Sequence, residues 1–204
     1  MKSARARRGR PLSFDPDIAI DAAMRVFWLK GYEGASLTDL TAAMGINKPS
    51  LYATYGDKRG LFLAAIDHYS ATISAPHLKP LMEGTGLRTA IEGYFGSISR
   101  ALAETGSPPG CLIGTVATEF AGRDEEMRAH VAGLVATAEA FLTQRFKDLG
   151  GAPIEERVLA ELVVSIGQSL AARARLGASV EELNALTDSF LTAIFGPKGP
   201  APPS

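Results

Sequence analysis

The chain has 204 residues, 46% hydrophobic and 21% charged, with a formal net charge of −1 and a single cysteine. That is enough apolar material for a sizeable core in one domain or two. One cysteine excludes an intramolecular disulfide and a cysteine-only zinc cage, and it suits a reducing compartment. Charges break the apolar runs well short of the roughly 18 to 20 residues a membrane span needs, and the basic opening is not followed by a signal-like apolar segment. The expectation is a cytoplasmic protein without membrane contact.

Residues 1–12 precede any apolar periodicity and carry Lys2, Arg5, Arg7, Arg8 and Arg10. They read as a disordered basic arm, suited to a minor groove or to non-specific phosphate tethering. Asp15 is placed to cap a helix beginning at Pro16. Its buried stripe is predicted at Ile18, Ala19, Ala22, Ala23, Val26, Phe27 and Leu29, with a stop at Gly31. Trp28 lies off the centre of that stripe.

The segment SLTDLTAAMGINKPSLYATYGDKR, residues 36–59, reads as two short helices around a glycine turn. Ser36 can cap the first, with Asp39 in the first turn where the helix dipole favours an acid. Leu37, Leu40, Thr41 and Met44 recur on one face, and Gly45 follows where a left-handed residue would end the helix. Asn47 can cap the second helix, and Pro49 suits a first-turn position that needs no amide. Lys48, Pro49 and Ser50 then sit at the helix end that approaches base edges and phosphates in a helix-turn-helix, where free amides also favour anions. Tyr52 and Tyr55, three apart, share a face able to meet phosphates or thymine methyls, or to serve the core. Double-stranded DNA is the partner this pattern predicts, read by a domain spanning residues 13–56.

Asp57 is placed to cap a fourth helix, within residues 57–70, that buries Leu61, Phe62, Ala65, Ile66 and Tyr69 and leads out of the head. Residues 71–196 read as further helices and no strands. One spans 86–104, after the breakers Pro76, Pro80, Gly84 and Gly86, and another 111–121, after Pro108-Pro109-Gly110. A long third spans 124–148, with acids at its start and Arg145 and Lys147 near its end, in the order the dipole favours. The last two span 154–177 and 180–195. The tail, residues 197–204, is too proline-rich to pack. The fold class is all-α: a three-helix DNA-binding head and a helical body.

Charge follows the same division. Residues 1–60 hold ten basic against six acidic residues, and residues 61–204 hold eleven against sixteen. A head of +4 on a body of −5 fits a molecule that meets phosphate at one end.

Across residues 14–69, Phe27, Gly31-Tyr32, Ser36-Leu37-Thr38, Ala42-Ala43-Met44-Gly45-Ile46, Ser50-Leu51-Tyr52, Tyr55 and Asp57-Lys58 together resemble the DNA-binding domain of the TetR/AcrR family of transcriptional regulators. The resemblance implies that Lys48, Ser50, Tyr52 and Tyr55 belong to the recognition helix, that Thr38 faces a phosphate, and that Lys58 contacts the backbone. Thr54 departs from the histidine or tyrosine more usual in the family, which bears on operator preference. It further implies a homodimer built from the last two helices, residues 154–195. There Ser165, Gly167, Ser169, Ala171 and Ala172 permit close approach, with an ordinary intrachain core as the alternative. It also implies a small-molecule effector among the middle helices. Tyr94, Phe95, Phe120 and Phe141 would serve as walls, and Thr115, Thr118, Glu119, Gln144 and Gln168 as polar anchors.

Cys111 is expected in the first turn of its helix, where amides and dipole stabilise a thiolate. Gly110-Cys111-Leu112 is similar to a motif in a subgroup of the family with members that respond to electrophiles or oxidants, so Cys111 reads as a sensor or as a small buried hydrophobe. No cofactor, metal site or catalytic residue is indicated. An enzyme is not the expectation, although a hydrolase pairing Cys111 with His130 is the remaining alternative.

Overall fold

Side-chain caps set where each of the first four helices begins. In the computed structural model, which describes residues 14–104, 106 and 108–198, the Asp15 carboxylate accepts from the Asp17 and Ile18 amides to open α1, Pro16–Gly34. Ser36, Asn47 and Asp57 do the same for α2 (Leu37–Met44), α3 (Lys48–Tyr55) and α4 (Lys58–Tyr69). Each cap satisfies an amide that the helix itself leaves unpaired.

The buried face of α1 differs from the predicted stripe. Ala19, Ile20, Ala23, Met24, Phe27 and Trp28 are buried, whereas Ile18 and Leu29 are 70% and 66% exposed. Aromatic contacts set this rotation. Phe27 packs on Phe62 at 4.7 Å between ring centroids, and Trp28 stands edge-on to Tyr69 at 5.0 Å. At Gly31 the helical conformation is interrupted as predicted, with φ +74° and ψ +171°, and a short further turn runs on to Gly34.

Beyond α4 the predicted breakers divide: Gly84 and Gly86 are extended and end the helical run, whereas Pro76 and Pro80 do not interrupt it. A π-helical turn at Ser70–Ser74, a 3₁₀ turn at Ala75–Leu78 and α5 (Lys79–Glu83) carry it forward without an extended residue. Pro76 and Pro80 each occupy the first turn of a new segment, where a missing amide is harmless. Arg145 holds the far end, donating to the carbonyls of Leu81, Met82 and Gly84.

The body continues with α6 (Leu87–Ala103), α7 (Thr118–Ala121), α8 (Glu125–Leu149), α9 (Glu156–Arg175) and α10 (Val180–Phe195). The helix predicted at 111–121 opens as a π-turn, Leu112–Ala117, before α7. No strand occurs among the described residues.

Two apolar cores hold these elements. One joins α1, α2, α3 and α4 to Leu112, Val116, Ala117 and Ala121 and to Met127 and Val131 of α8. The other unites α5, α6, the C-terminal half of α8, α9 and α10 around Phe95, Phe146 and Leu159. The head is therefore continuous with part of the body, through a core that crosses the junction at residue 70.

Candidate DNA-binding surface and effector cavity

The turn between α2 and α3 is built by short-range bonds. Gly45 adopts the left-handed conformation (φ +65°, ψ +26°), and the Ile46 amide returns to the Thr41 carbonyl at 3.1 Å. Asn47 Oδ1 then accepts from the Ser50 amide at 2.8 Å. Leu51 is fully buried and anchors α3, leaving Asn47, Lys48 and Pro49 exposed, Tyr52 46% exposed and Ser50 half-buried. Tyr55 turns inward against the first core, where burial and then Asp17 raise its phenol above the ordinary value. The two tyrosines thus divide, one to the surface and one to the support beneath it.

Thr38 and Ser36 are exposed at the start of α2. The Ser36 hydroxyl donates to Asp39 Oδ2 at 2.8 Å and accepts from the Asp39 amide at 3.0 Å, so it is already committed to capping. Lys30 Nζ lies 2.9 Å from Asp39 Oδ1 and, with Ser36, lowers that carboxyl to about 2. Lys58 Nζ stands 4.5 Å above the Tyr32 ring, half-buried and charge-stabilised by its π face. Arg5, Arg7, Arg8 and Arg10 lie outside the described residues.

The head meets the body at the same place. Tyr32 stacks on Phe120 with centroids 3.8 Å apart. Arg59 pairs with Asp124 and Glu126, and Asp124 in turn caps α8 through the Met127 amide.

A cavity of about 480 Å³ opens between the two cores. Tyr94, Cys111 and Gln168 line it, as do Trp28, Tyr69 and His77, which sequence reasoning did not select. The signal for Trp28 was its place off the apolar stripe; His77 was hidden in a segment read as breakers. The Trp28 indole N–H is buried with no partner among the described residues. Thr115, Glu119 and Phe120 instead border a crevice of about 230 Å³ between head and body. Phe95 is fully buried in the second core, edge-on to Phe190, and Phe141 packs against that core. Thr118 and Gln144 are exposed and bonded locally, to the Ile113 carbonyl and to Asp148. Close packing within the helical body thus directs these four away from the cavity.

Cys111 is the N-cap of the π-turn, one position before the first turn predicted for it, and its Sγ accepts from the Gly114 amide at 3.3 Å. Burial and then Cys111 raise the phenols on either side, Tyr94 to about 12 and Tyr69 further, so both remain protonated donors at neutral pH. Burial lowers the imidazole of His77, whose Nδ1 lies 2.8 Å from Ser97 Oγ. His130 lies outside the cavity lining and pairs with Asp67 of α4 at 2.9 Å.

On α9 the small residues separate by face. Val164, Gly167, Gln168 and Ala171 line the cavity, whereas Ser165, Ala172 and Leu176 are exposed, with Leu162 at 37%. A shallow groove on that side is lined by Leu176, Ala178, Ala185 and Leu186.

A capped reading helix, seated on an all-helical body that encloses a cavity, defines a helix-turn-helix regulator, a DNA-binding protein that controls transcription. Residues 19–65 match the bacterial regulatory proteins of the tetR family, and residues 88–188 match the C-terminal domain of LmrA/YxaF-like transcriptional regulators. The chain is 35% identical over 191 residues to the HTH-type transcriptional repressor ComR of Escherichia coli, covering 90% of each protein. It is 28% identical to the repressor BdcR of the same species, covering 86% of each. Its fold is similar to that of the TetR family transcriptional regulator CifR, a cysteine mutant complexed with 26 bp of double-strand operator DNA. That match has a TM-score of 0.82 and 30% identity, and covers 90% of this chain and 99% of the other. The chain belongs to the TetR family of transcriptional regulators.

Proposed function

We propose that this regulator is a homodimeric repressor that leaves its operator when a small molecule fills the cavity between the two cores. The observation that carries the reading is α3: fixed from below by Leu51 and Tyr55 and by the Asn47 cap, it presents Lys48, Pro49 and Tyr52 outward. Ser50 and Lys58 flank that surface, Thr38 lies where the resemblance sets a phosphate, and the arm carrying Arg5, Arg7, Arg8 and Arg10 adds sequence-independent phosphate contacts. The repressors ComR and BdcR and the operator complex of CifR support the assignment.

The functional division is residues 13–56 for reading, 57–70 for connection and 71–196 for ligand binding and pairing. The exposed face of α9, with α10, fits a second copy; two-fold symmetry then puts two reading heads on a pseudopalindromic site. No described helix is long and apolar enough to cross a membrane, which agrees with a cytoplasmic protein. Effector-driven tilt of α4 reaches the head through the shared core, the Tyr32–Phe120 stack and the Arg59–Asp124 pair.

The test is binding of the full chain to its own upstream DNA against unrelated DNA at several salt concentrations. Tyr52→Ala should lower specific affinity by about 1 to 3 kcal/mol and leave stability unchanged, since the side chain is 46% exposed. Equal affinity of wild type and variant for both duplexes overturns the reading.

A second reading is favoured by one observation, that Cys111 borders the cavity between two phenols. The Gly110-Cys111-Leu112 motif would then serve an electrophile or redox sensor within the same framework. Selective alkylation of Cys111 that releases the operator supports it; an unreactive thiol ends it.

A further inference from the structure

The lining of the 480 Å³ cavity is unusual in its charge. Among the described residues that form it there is no lysine or arginine, and Glu104, an exposed residue just past the end of α6, is the one carboxylate. His77 is held neutral by burial while in contact with Ser97. A buried anion would find no counter-charge here, and stripping water from an unpaired carboxylate is strongly unfavourable. A buried ammonium would find only the exposed Glu104.

Apart from Glu104, the polarity of the lining is carried by neutral groups, several of them clustered at one place. Tyr94, Gln168 and Cys111 meet there. A Cβ at Gly167 would lie 3.8 Å from the Tyr94 hydroxyl, and one at Gly114 would lie within 4.0 Å of both Cys111 Sγ and Gln168 Cγ. The Tyr69 phenol, raised by burial and then by Cys111, borders the same cavity. Neither the Tyr94 hydroxyl nor the amide of Gln168, an exposed residue, makes a side-chain hydrogen bond among the described residues; the buried donor left unpaired in the same lining is the Trp28 indole N–H. Much of the remaining wall, including Ile73, Ile98, Leu102, Leu134 and Val164, is apolar, with the hydroxyls of Ser70, Thr72 and Ser74 and the His77 ring as further neutral polar groups. A neutral O–H donor and an amide, both free, above an aliphatic chamber define what complements them.

We propose that the effector of this regulator is an uncharged, largely apolar molecule with one carbonyl or other neutral acceptor, received by the Tyr94 hydroxyl and the Gln168 amide. The inference rests on the cavity being the effector site proposed above. Carboxylates and phosphates of the same size are disfavoured by the lack of opposite charge, protonated amines by an opposite charge that is only the exposed Glu104, and pure hydrocarbons leave the donors unpaired.

The test uses the full chain and a matched set of probes: benzylacetone, its isosteric anion hydrocinnamate, phenylpropylammonium and butylbenzene. Titration calorimetry and thermal shift should show benzylacetone bound more than about tenfold tighter than either ion, because the ions lose hydration without a partner. Tyr94→Phe should weaken benzylacetone about three- to tenfold, the worth of one neutral hydrogen bond, and leave butylbenzene unchanged. Hydrocinnamate or the ammonium binding as well as the ketone, no probe binding at all, or Tyr94→Phe affecting ketone and hydrocarbon alike would overturn the proposal. Ile98→Trp, which fills the chamber, separates the two ideas. A changed operator affinity in that variant upholds the cavity as the regulatory site whatever the ligand's class, and an unchanged one refutes the cavity's role itself.

Discussion

The reading surface and the cavity, only a few helices apart, are organised by opposite rules. At the surface every turn is closed by bonds between residues three to five apart: Ser36 with Asp39, Thr41 with Ile46, Asn47 with Ser50, Asp57 with Gly60. At the cavity the walls come from distant parts of the chain, Trp28, Tyr69, Tyr94, Cys111 and Gln168, and two of the bordering turns are π-helical. The surface must present one fixed shape to a regular duplex, so local bonds suffice. A cavity that takes an effector, as proposed, must change shape on binding, and long-range packing can do so collectively.

Phe62 tests how separate the two regions are, because its fully buried ring touches Phe27, Tyr32 and Phe120 in the core they share. Phe62→Ala should cost about 3 to 5 kcal/mol and disable operator and ligand binding together, as read by denaturant titration. Survival of the cavity's ligand affinity with a melted head would show two independent units instead.

Gly60→Ala should divide them. A Cβ there would come within 2.1 Å of the Tyr55 carbonyl, backbone at the end of α3 that cannot swing away. The expected effect is about 1 to 3 kcal/mol of destabilisation and a larger loss of operator affinity than of ligand affinity. Equal losses in the two titrations would contradict the local character of the head.

The smallest effect isolates a single cap. The Asp39 carboxyl is lowered from 3.8 to about 2, first by Lys30 and then by Ser36. A depressed acid contributes stability fully above its unfolded value and loses it as pH falls through the folded one. The stability difference between wild type and Asp39→Asn should therefore be constant above about pH 4 and shrink toward pH 2. A difference independent of pH in urea titrations would mean that the charge of Asp39 plays no part.

These rules also govern what the sequence discloses. The caps at Asp15, Ser36, Asn47 and Asp57 and the left-handed Gly45 depend on neighbours a few positions away, and so they were legible. The rotation of α1 was not, since Ile18 and Ile20 are equally apolar and only the contacts of Phe27 and Trp28 choose between faces. Pro76 and Pro80 read as breakers because a proline that ends one helix and a proline that starts the next look alike in sequence. Of the candidate ligand residues, Tyr94, Cys111 and Gln168 border the main cavity. Phe95 and Phe141, of the same aromatic character, serve the second core, a distinction that only tertiary packing makes.

The π-turns at Ser70–Ser74 and Leu112–Ala117 have an evolutionary consequence. Such a turn closes over one residue more than an α-helical ladder requires. A chain that gains or loses a single residue there can pass between the two ladders without unravelling, and the outline of the chamber changes while the caps of α3 stay where they are. A single-residue insertion or deletion at either turn is therefore expected to reshape the chamber and spare the operator-facing surface.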